Sequence, residues 1–146
     1  MIKVKRIDHV AIAVSDCDGA SQSLGALFGL VPGAREHVAV QKTDVAFLHA
    51  GPAASDDTAL ELIAPAGNEA LGRFLDKRGP GLHHICFEVH DLPAALAELK
   101  AAGVRLIDEA PRLGARGHLV AFLHPASTGG VLFELCAPCP PSGAKA

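Results

Sequence analysis

The sequence predicts an α+β fold: two tandem βαβββ modules whose strands join into one curved, half-open barrel around a metal site. Three observations lead there. First, "IDHVAIAVSD" at 7–16 repeats as "LHHICFEVHD" at 82–91, so that His9, Val14 and Asp16 fall on His84, Val89 and Asp91. Second, "TALELIAP" at 58–65 repeats as "VLFELCAP" at 131–138, which sets Glu61 over Glu134. Third, each histidine run is followed by a helical pattern and then by three further strand-like runs. The offset is 75 residues at the histidines (84 minus 9) and 73 at the glutamates (134 minus 61), so the halves are nearly equal in length. Self-similarity at an almost fixed offset is the mark of a duplicated structural unit.

In the first half, strands are expected near residues 6–14, 33–40, 43–49 and 58–64; in the second, near 81–89, 104–108, 117–123 and 130–136. The first helical pattern, "CDGASQSLGALFGL", is weakened by Gly19 and Gly25. Its counterpart "LPAALAELKAAG" is stronger, with Pro93 near its start and Gly103 at its end. "NEALGRFLDKRGPG" reads as a connecting helix stopped by Gly79, Pro80 and Gly81. "GPAASDD" at 51–57 is a small-residue loop, and "STGG" at 127–130 a tight turn into the last strand. Neither half alone buries enough surface to stand by itself. The expectation is therefore one domain over 1–146: module one about 5–66, a linker helix about 67–79, module two about 80–137, and a tail over 138–146.

Composition narrows the function. Hydrophobic residues make up 49% and charged residues 20%, with a net charge of -3, which describes a globular protein and disfavours a nucleic-acid surface. No Trp or Tyr is present, so an aromatic platform for single strands is not expected. No apolar run reaches the roughly 20 residues of a membrane span. The opening "MIKVKRIDHVAIAV" is interrupted by Asp8 and His9 and alternates like a strand rather than a signal peptide, which makes the cytoplasm the default location. Cys136 and Cys139 form a lone CxxC at a strand end, followed by Pro140 and Pro141. A redox CxxC opens a helix, which those prolines oppose, so two unrelated thiols are expected.

Strand alternation sorts the repeated residues. Val10, Ile12 and Val14 share a face with Asp8, and Ile85, Phe87 and Val89 share one with His83; these bulky faces suit packing under helices. The opposite faces carry His9, Ala11 and Ala13, and His84, Cys86 and Glu88. Leu60 and Leu62 oppose Glu61, while Phe133 and Leu135 oppose Glu134. His9, Glu61, His84 and Glu134 thus occupy matched positions on the small-residue side. A single histidine within a strand is usually a satisfied core residue, but matched duplication makes coincidence a poor account of four. Two imidazoles and two carboxylates suit a divalent ion such as Mn, Co, Fe, Ni or Zn, and two octahedral positions stay open for a bidentate substrate. Asp8 and His83 are expected on the other face, in structural roles or behind the ligands.

The motifs "IDHVAIAV", "LELIAP", "FLDKRGPGLHHICFEV", "GVRLIDEAPRLGARG" and "FLHPASTGGVLFEL" resemble the vicinal oxygen chelate, or glyoxalase-like, superfamily, and within it the methylmalonyl-CoA epimerase family. The likeness spans residues 7–136. It implies interconversion of (R)- and (S)-methylmalonyl-CoA through an enolate, a divalent ion (Co2+ foremost) and a homodimer. By motif, His9, His84 and Glu134 match the family's metal ligands, and Glu61 the position where it carries Gln or Glu. Glu134 is the candidate proton carrier. Where relatives carry a second Glu before the third strand, this chain reads Val40, and the nearest carboxylate is Glu36, four residues earlier. Glu36 is therefore the other candidate. Arg112, Arg116, Lys77 and Arg78 are possible partners for CoA phosphates. The same site would also serve a glyoxalase-I-like lactoylglutathione lyase, and the same barrel a non-catalytic binding or resistance protein.

Overall fold

The computed structural model describes residues 1–52 and 57–139. In chain order it runs β1 (Val4–Ala13), α1 (Cys17–Phe28), β2 (Val31–Val38), β3 (Thr43–His49), β4 (Ala59–Pro65), α2 (Glu69–Arg78), β5 (Gly81–Val89), α3 (Leu92–Ala101), β6 (Arg112–Leu113), β7 (His118–Leu123) and β8 (Phe133–Pro138). All eight strands form one mixed sheet in the order β2-β3-β4-β1-β5-β8-β7-β6, curled into a half-barrel. Within each half the first strand lies parallel to the last, β1 beside β4 and β5 beside β8. The halves meet along the antiparallel β1–β5 pair.

The repeated aspartates are helix caps. Asp16 accepts from the backbone N–H groups of Asp18 and Gly19 at the start of α1, and Asp91 accepts from that of Ala94 at the start of α3. Helix α1 ends at Gly29 in the left-handed region (φ 66), as helices stopped by glycine do. On the convex side, α1 covers Val14, Ala46, Leu48 and Leu62, and α3 covers Val89, Ala121, Leu123 and Leu135. The concave side carries Ala11, Ala13, Val45, Phe47 and Ile63.

Two strand expectations change. Residues 104–108 form only an isolated bridge, Leu106 to Leu123, and the sheet edge passes to Arg112–Leu113. The Asp108 carboxylate accepts the Phe122 backbone N–H at 2.8 Å, so a side chain replaces the backbone acceptor a ladder would use. The last strand begins at Phe133 rather than 130 because Gly129 and Gly130 turn through positive φ (71 and 92). The loop expected at 51–57 and the tail expected at 138–146 lie partly outside the described residues.

The β1–β5 ladder contains three bulges. Ile7 pairs with Phe87 but His9 with Cys86, so Asp8 is an extra residue on β1; Ala11 pairs with His84 but Ile12 with Leu82, so His83 is extra on β5. Val4 pairs with Val89 and Arg6 with Glu88, which makes Lys5 the third. A bulge breaks strict alternation and lets neighbouring residues serve one side. Lys5 and Arg6 accordingly both reach Glu88, the latter with Nε at 2.7 Å from Oε2.

Glu88 is buried, and although burial opposes its charge, Lys5 and Arg6 hold its carboxyl below the usual range. A depressed folded-state pKa contributes stability above the unfolded value and loses it as pH falls through the folded one. Glu88→Gln is expected to cost about 1–3 kcal/mol at pH 7, a penalty that shrinks below about pH 4 as the wild-type carboxylate protonates. Urea denaturation at pH 7 and pH 3.5 measures both; a penalty unchanged with pH would contradict the ion-pair account.

Candidate metal centre

The four residues predicted from the repeat converge. His9 on β1, Glu61 on β4, His84 on β5 and Glu134 on β8 are all buried, and they line a cavity of about 450 Å³ on the concave side of the sheet. His9 Nε2 lies 3.3 Å from His84 Nε2 and 3.1 Å from Glu61 Oε2. His84 Nε2 lies 3.1 Å from Glu134 Oε2 and 3.6 Å from Glu61 Oε2. Small residues make the space: Ala11, Ala13 and Cys86 are fully buried on the same side of the central strands.

The bulges place a partner behind each imidazole. Asp8 Oδ2 is 2.7 Å from His9 Nδ1, and His83 Nδ1 is 2.9 Å from His84 Nδ1. Asp8 and His83 therefore do not lie on the opposite face with Val10 and Ile85, as alternation predicts. Being the extra residues of two bulges, they stand beside their neighbours. Burial, with His84 adding to it, pushes His83 down to about 4, so it is neutral at pH 7 and its Nδ1 can accept the His84 Nδ1–H. Asp8 accepts the His9 Nδ1–H. Both Nε2 atoms are thereby turned to the cavity, the outer-shell arrangement that fixes a histidine ligand's tautomer.

Asp8 has two further partners, Arg6 Nη2 at 2.6 Å and Arg116 Nη2. Burial raises its pKa, yet the bond to His9 and the field of Arg116 outweigh that and keep it ionised. Burial also opposes the charging of His9, but Glu61, Asp8 and Glu134 together push it up to about 10. Glu61, though buried, is held low by His9, His84 and Arg116. The cluster thus binds a proton strongly, and the same field favours a divalent cation in the proton's place. Among the described residues, ligand atoms of His9, His84 and Glu134 lie within 4.8 Å of one another, as do those of Asp8, His9 and Cys86. The first set faces the cavity. The arginines already engage Asp8, which makes the second set a poor competitor. Cys86 Sγ donates to Glu134 Oε1 at 3.6 Å and leaves Oε2 toward His84.

The remaining expected residues are dispersed. Glu36 on β2 accepts the Arg116 backbone N–H at 2.9 Å and is not among the residues lining the cavity, whereas Val40 is. Register explains this: Glu36 pairs with Val45, and a short 3-10 turn over Ala39–Gln41 then carries Val40 to the wall. Arg112, Arg116 and His118 line this cavity; Lys77 and Arg78 line a separate depression beside α2. Cys136 is buried in β8 and Cys139 is exposed beyond it, and all four cysteines are free. Alternation missed the roles of Asp8 and Arg116. The sequence hint for Asp8 was its match to His83 in the repeat.

Residues 8–122 match the family described as the Glyoxalase/Bleomycin resistance protein/Dioxygenase superfamily. The chain is 41% identical to the uncharacterized protein YqjC of Bacillus subtilis, over 92% of this chain and 94% of that one. It is 37% identical to the ethylmalonyl-CoA/methylmalonyl-CoA epimerase of Cereibacter sphaeroides, over 90% of this chain and 97% of that protein. It is also similar, with 33% identity and a TM-score of 0.86, to a Streptomyces coelicolor methylmalonyl-CoA epimerase variant in complex with 2-nitronate-propionyl-CoA, covering 94% of this chain and 96% of that one.

Burial pushes the Cys17 thiol up to about 11 and raises Cys86 as well. At pH 8, iodoacetamide is expected to modify Cys139 first and the three buried thiols only after unfolding. Peptide mass spectrometry over a time course reads the order, and early labelling of Cys86 would contradict the packing described.

Proposed function

The chain belongs to the Glyoxalase/Bleomycin resistance protein/Dioxygenase superfamily, and we propose that it is a metal-dependent methylmalonyl-CoA epimerase, moving the C2 proton between the (R)- and (S)-forms. The observation that carries this reading is the convergence of two imidazoles and two carboxylates from both halves in one concave cavity, together with sequence likeness to epimerases over most of the chain.

His9, Glu61, His84 and Glu134 would hold the metal, with Asp8 and His83 orienting the two imidazoles. A divalent ion there supplies Lewis-acid stabilisation of charge developing on a thioester oxygen, worth several kcal/mol. The chain's own residues do the rest. Phe47, Phe122 and Val40 line the cavity. The C2 hydrogen, between a thioester and a carboxylate, is acidic enough for a carboxylate base once the resulting charge is stabilised. Glu134 takes that proton or returns it, with the Cys86 thiol on Oε1 keeping Oε2 directed inward. Inversion needs a second carrier on the other face of C2. Glu61, supplied by the other module, lines the cavity beside both histidines and can serve there, while Glu69 also lines the cavity. Glu36 is bonded to the Arg116 turn instead.

Co2+ is the ion that the family resemblance implies, and the N/O donor set would equally suit Mn2+, Ni2+, Zn2+ or Fe2+. The same reading includes a homodimer and a cytoplasmic enzyme; among the described residues no helix is long and apolar enough to cross a membrane.

Incubating metal-loaded protein with (R)-methylmalonyl-CoA in D2O is expected to give C2 deuteration and both epimers by NMR. Exchange no faster than in a chelator-treated control would sink the proposal. Glu134→Gln is expected to lower kcat by roughly 100-fold or more, whereas Glu36→Gln should leave turnover within about twofold, the range for a residue outside the proton path. Asp8→Asn is expected to weaken divalent-metal affinity by about 10–100-fold in chelator competition.

A further inference from the structure

Arg116 stands in the cavity wall on a turn that the second module extends toward the first. We propose that its guanidinium recognises the free carboxylate of the acyl group and so selects carboxylated thioesters over neutral ones. This deepens the epimerase reading and rests on it.

The residue is held from several sides by the other module. Its backbone is left-handed (φ 56), a conformation that a non-glycine residue adopts at a cost. Its N–H donates to Glu36 Oε1 at 2.9 Å, which pins the turn. Its guanidinium carbon lies 4.2 Å from the centre of the Phe47 ring, and Nη2 donates to Asp8 Oδ2, the same oxygen that His9 Nδ1 meets. Behind the turn there is no slack. A Cβ on Gly114 would come within 2.7 Å of Val120 Cγ1. Arg116 is thus held one carboxylate away from His9, in a left-handed backbone conformation.

Its donors are only partly used. Nε is buried without a hydrogen-bond partner, and Nη1 makes no hydrogen bond among the described residues. Nη1 shares the outer edge of the planar guanidinium with Nη2, so its N–H groups can meet a carboxylate oxygen while Nη2 stays on Asp8. Arg116 already lines the cavity. The charge balance agrees. The cavity holds Glu61, Glu69 and Glu134, so an incoming anionic acyl group gains from a further cation beside the metal ligands. Of the other cations in the wall, Arg112 is paired with Asp108 and stacked on Phe122, and for Lys42 no hydrogen bond or ion pair to the histidine pair is seen among the described residues. Arg116 is the one tied to it, through Asp8.

The test compares two acyl thioesters that differ in charge, malonyl-CoA and acetoacetyl-CoA, titrated calorimetrically into metal-loaded protein. Arg116→Gln is expected to weaken malonyl-CoA binding by about 10–100-fold, the scale of a lost charge-assisted pair, and to leave acetoacetyl-CoA within about threefold. Arg116→Lys should recover part of the loss. In turnover, Arg116→Gln should raise KM for methylmalonyl-CoA more than it lowers kcat. Equal loss for both esters, or a fall in metal affinity that Arg116→Lys does not restore, would make Arg116 a structural brace and overturn the proposal; so would unchanged binding of both. Wild-type epimerisation with an unaffected Arg116→Gln variant would remove the Arg116 role alone. Wild-type protein that binds neither ester would remove the epimerase reading with it.

Discussion

The antiparallel seam between β1 and β5 is the constraint on which the rest of the structure depends. It joins two half-sheets that each have their own helix and outer strands, and it sets His9 3.3 Å from His84. The glutamates follow from it, because β4 lies parallel to β1 and β8 parallel to β5. A slip of one residue along this seam would turn one of the two histidines away from the cavity. The bulges at Asp8 and His83 add a second requirement, since they put a partner behind each imidazole on the side where regular pleating would place an apolar residue.

Burying so many ionisable groups is costly unless each is paired. Here the pairing is layered. Arg6 and Arg116 neutralise Asp8, Asp8 orients His9, and His9 faces Glu61. The second module repeats the arrangement with a neutral partner, His83, in place of Asp8, and with Cys86 steadying Glu134. The two halves are therefore alike in geometry and unlike in charge. The first half carries the anion that draws in an arginine from the second.

Much of this was legible from the repeat. Matched parity put His9, Glu61, His84 and Glu134 on one side because strands keep period two over the stretch that matters; that the repeated Asp16 and Asp91 cap the two helices was seen only in the structure. Two kinds of feature were not legible. The strand expected at 104–108 failed because the Asp108 side chain took a ladder position, an exchange that hydrophobic pattern does not encode. Asp8 and His83 were put on the wrong face because a bulge adds one residue without leaving a composition signal.

The sequence by itself determined the duplication, the sheet-forming pattern and the residue types able to hold a divalent ion, since all three rest on local periodicity and on repetition along the chain. Only the tertiary structure decided which neighbours those residues have. That Arg116 stacks on Phe47 and meets Asp8, 108 positions away, depends on how the sheet curls and where a two-residue edge strand ends. Glu36 is likewise tied to the Arg116 turn, leaving Val40 at the cavity wall, because strand register and a single 3-10 turn fix their positions. Contacts of that kind are set by packing between distant segments, and no local pattern in the chain records them.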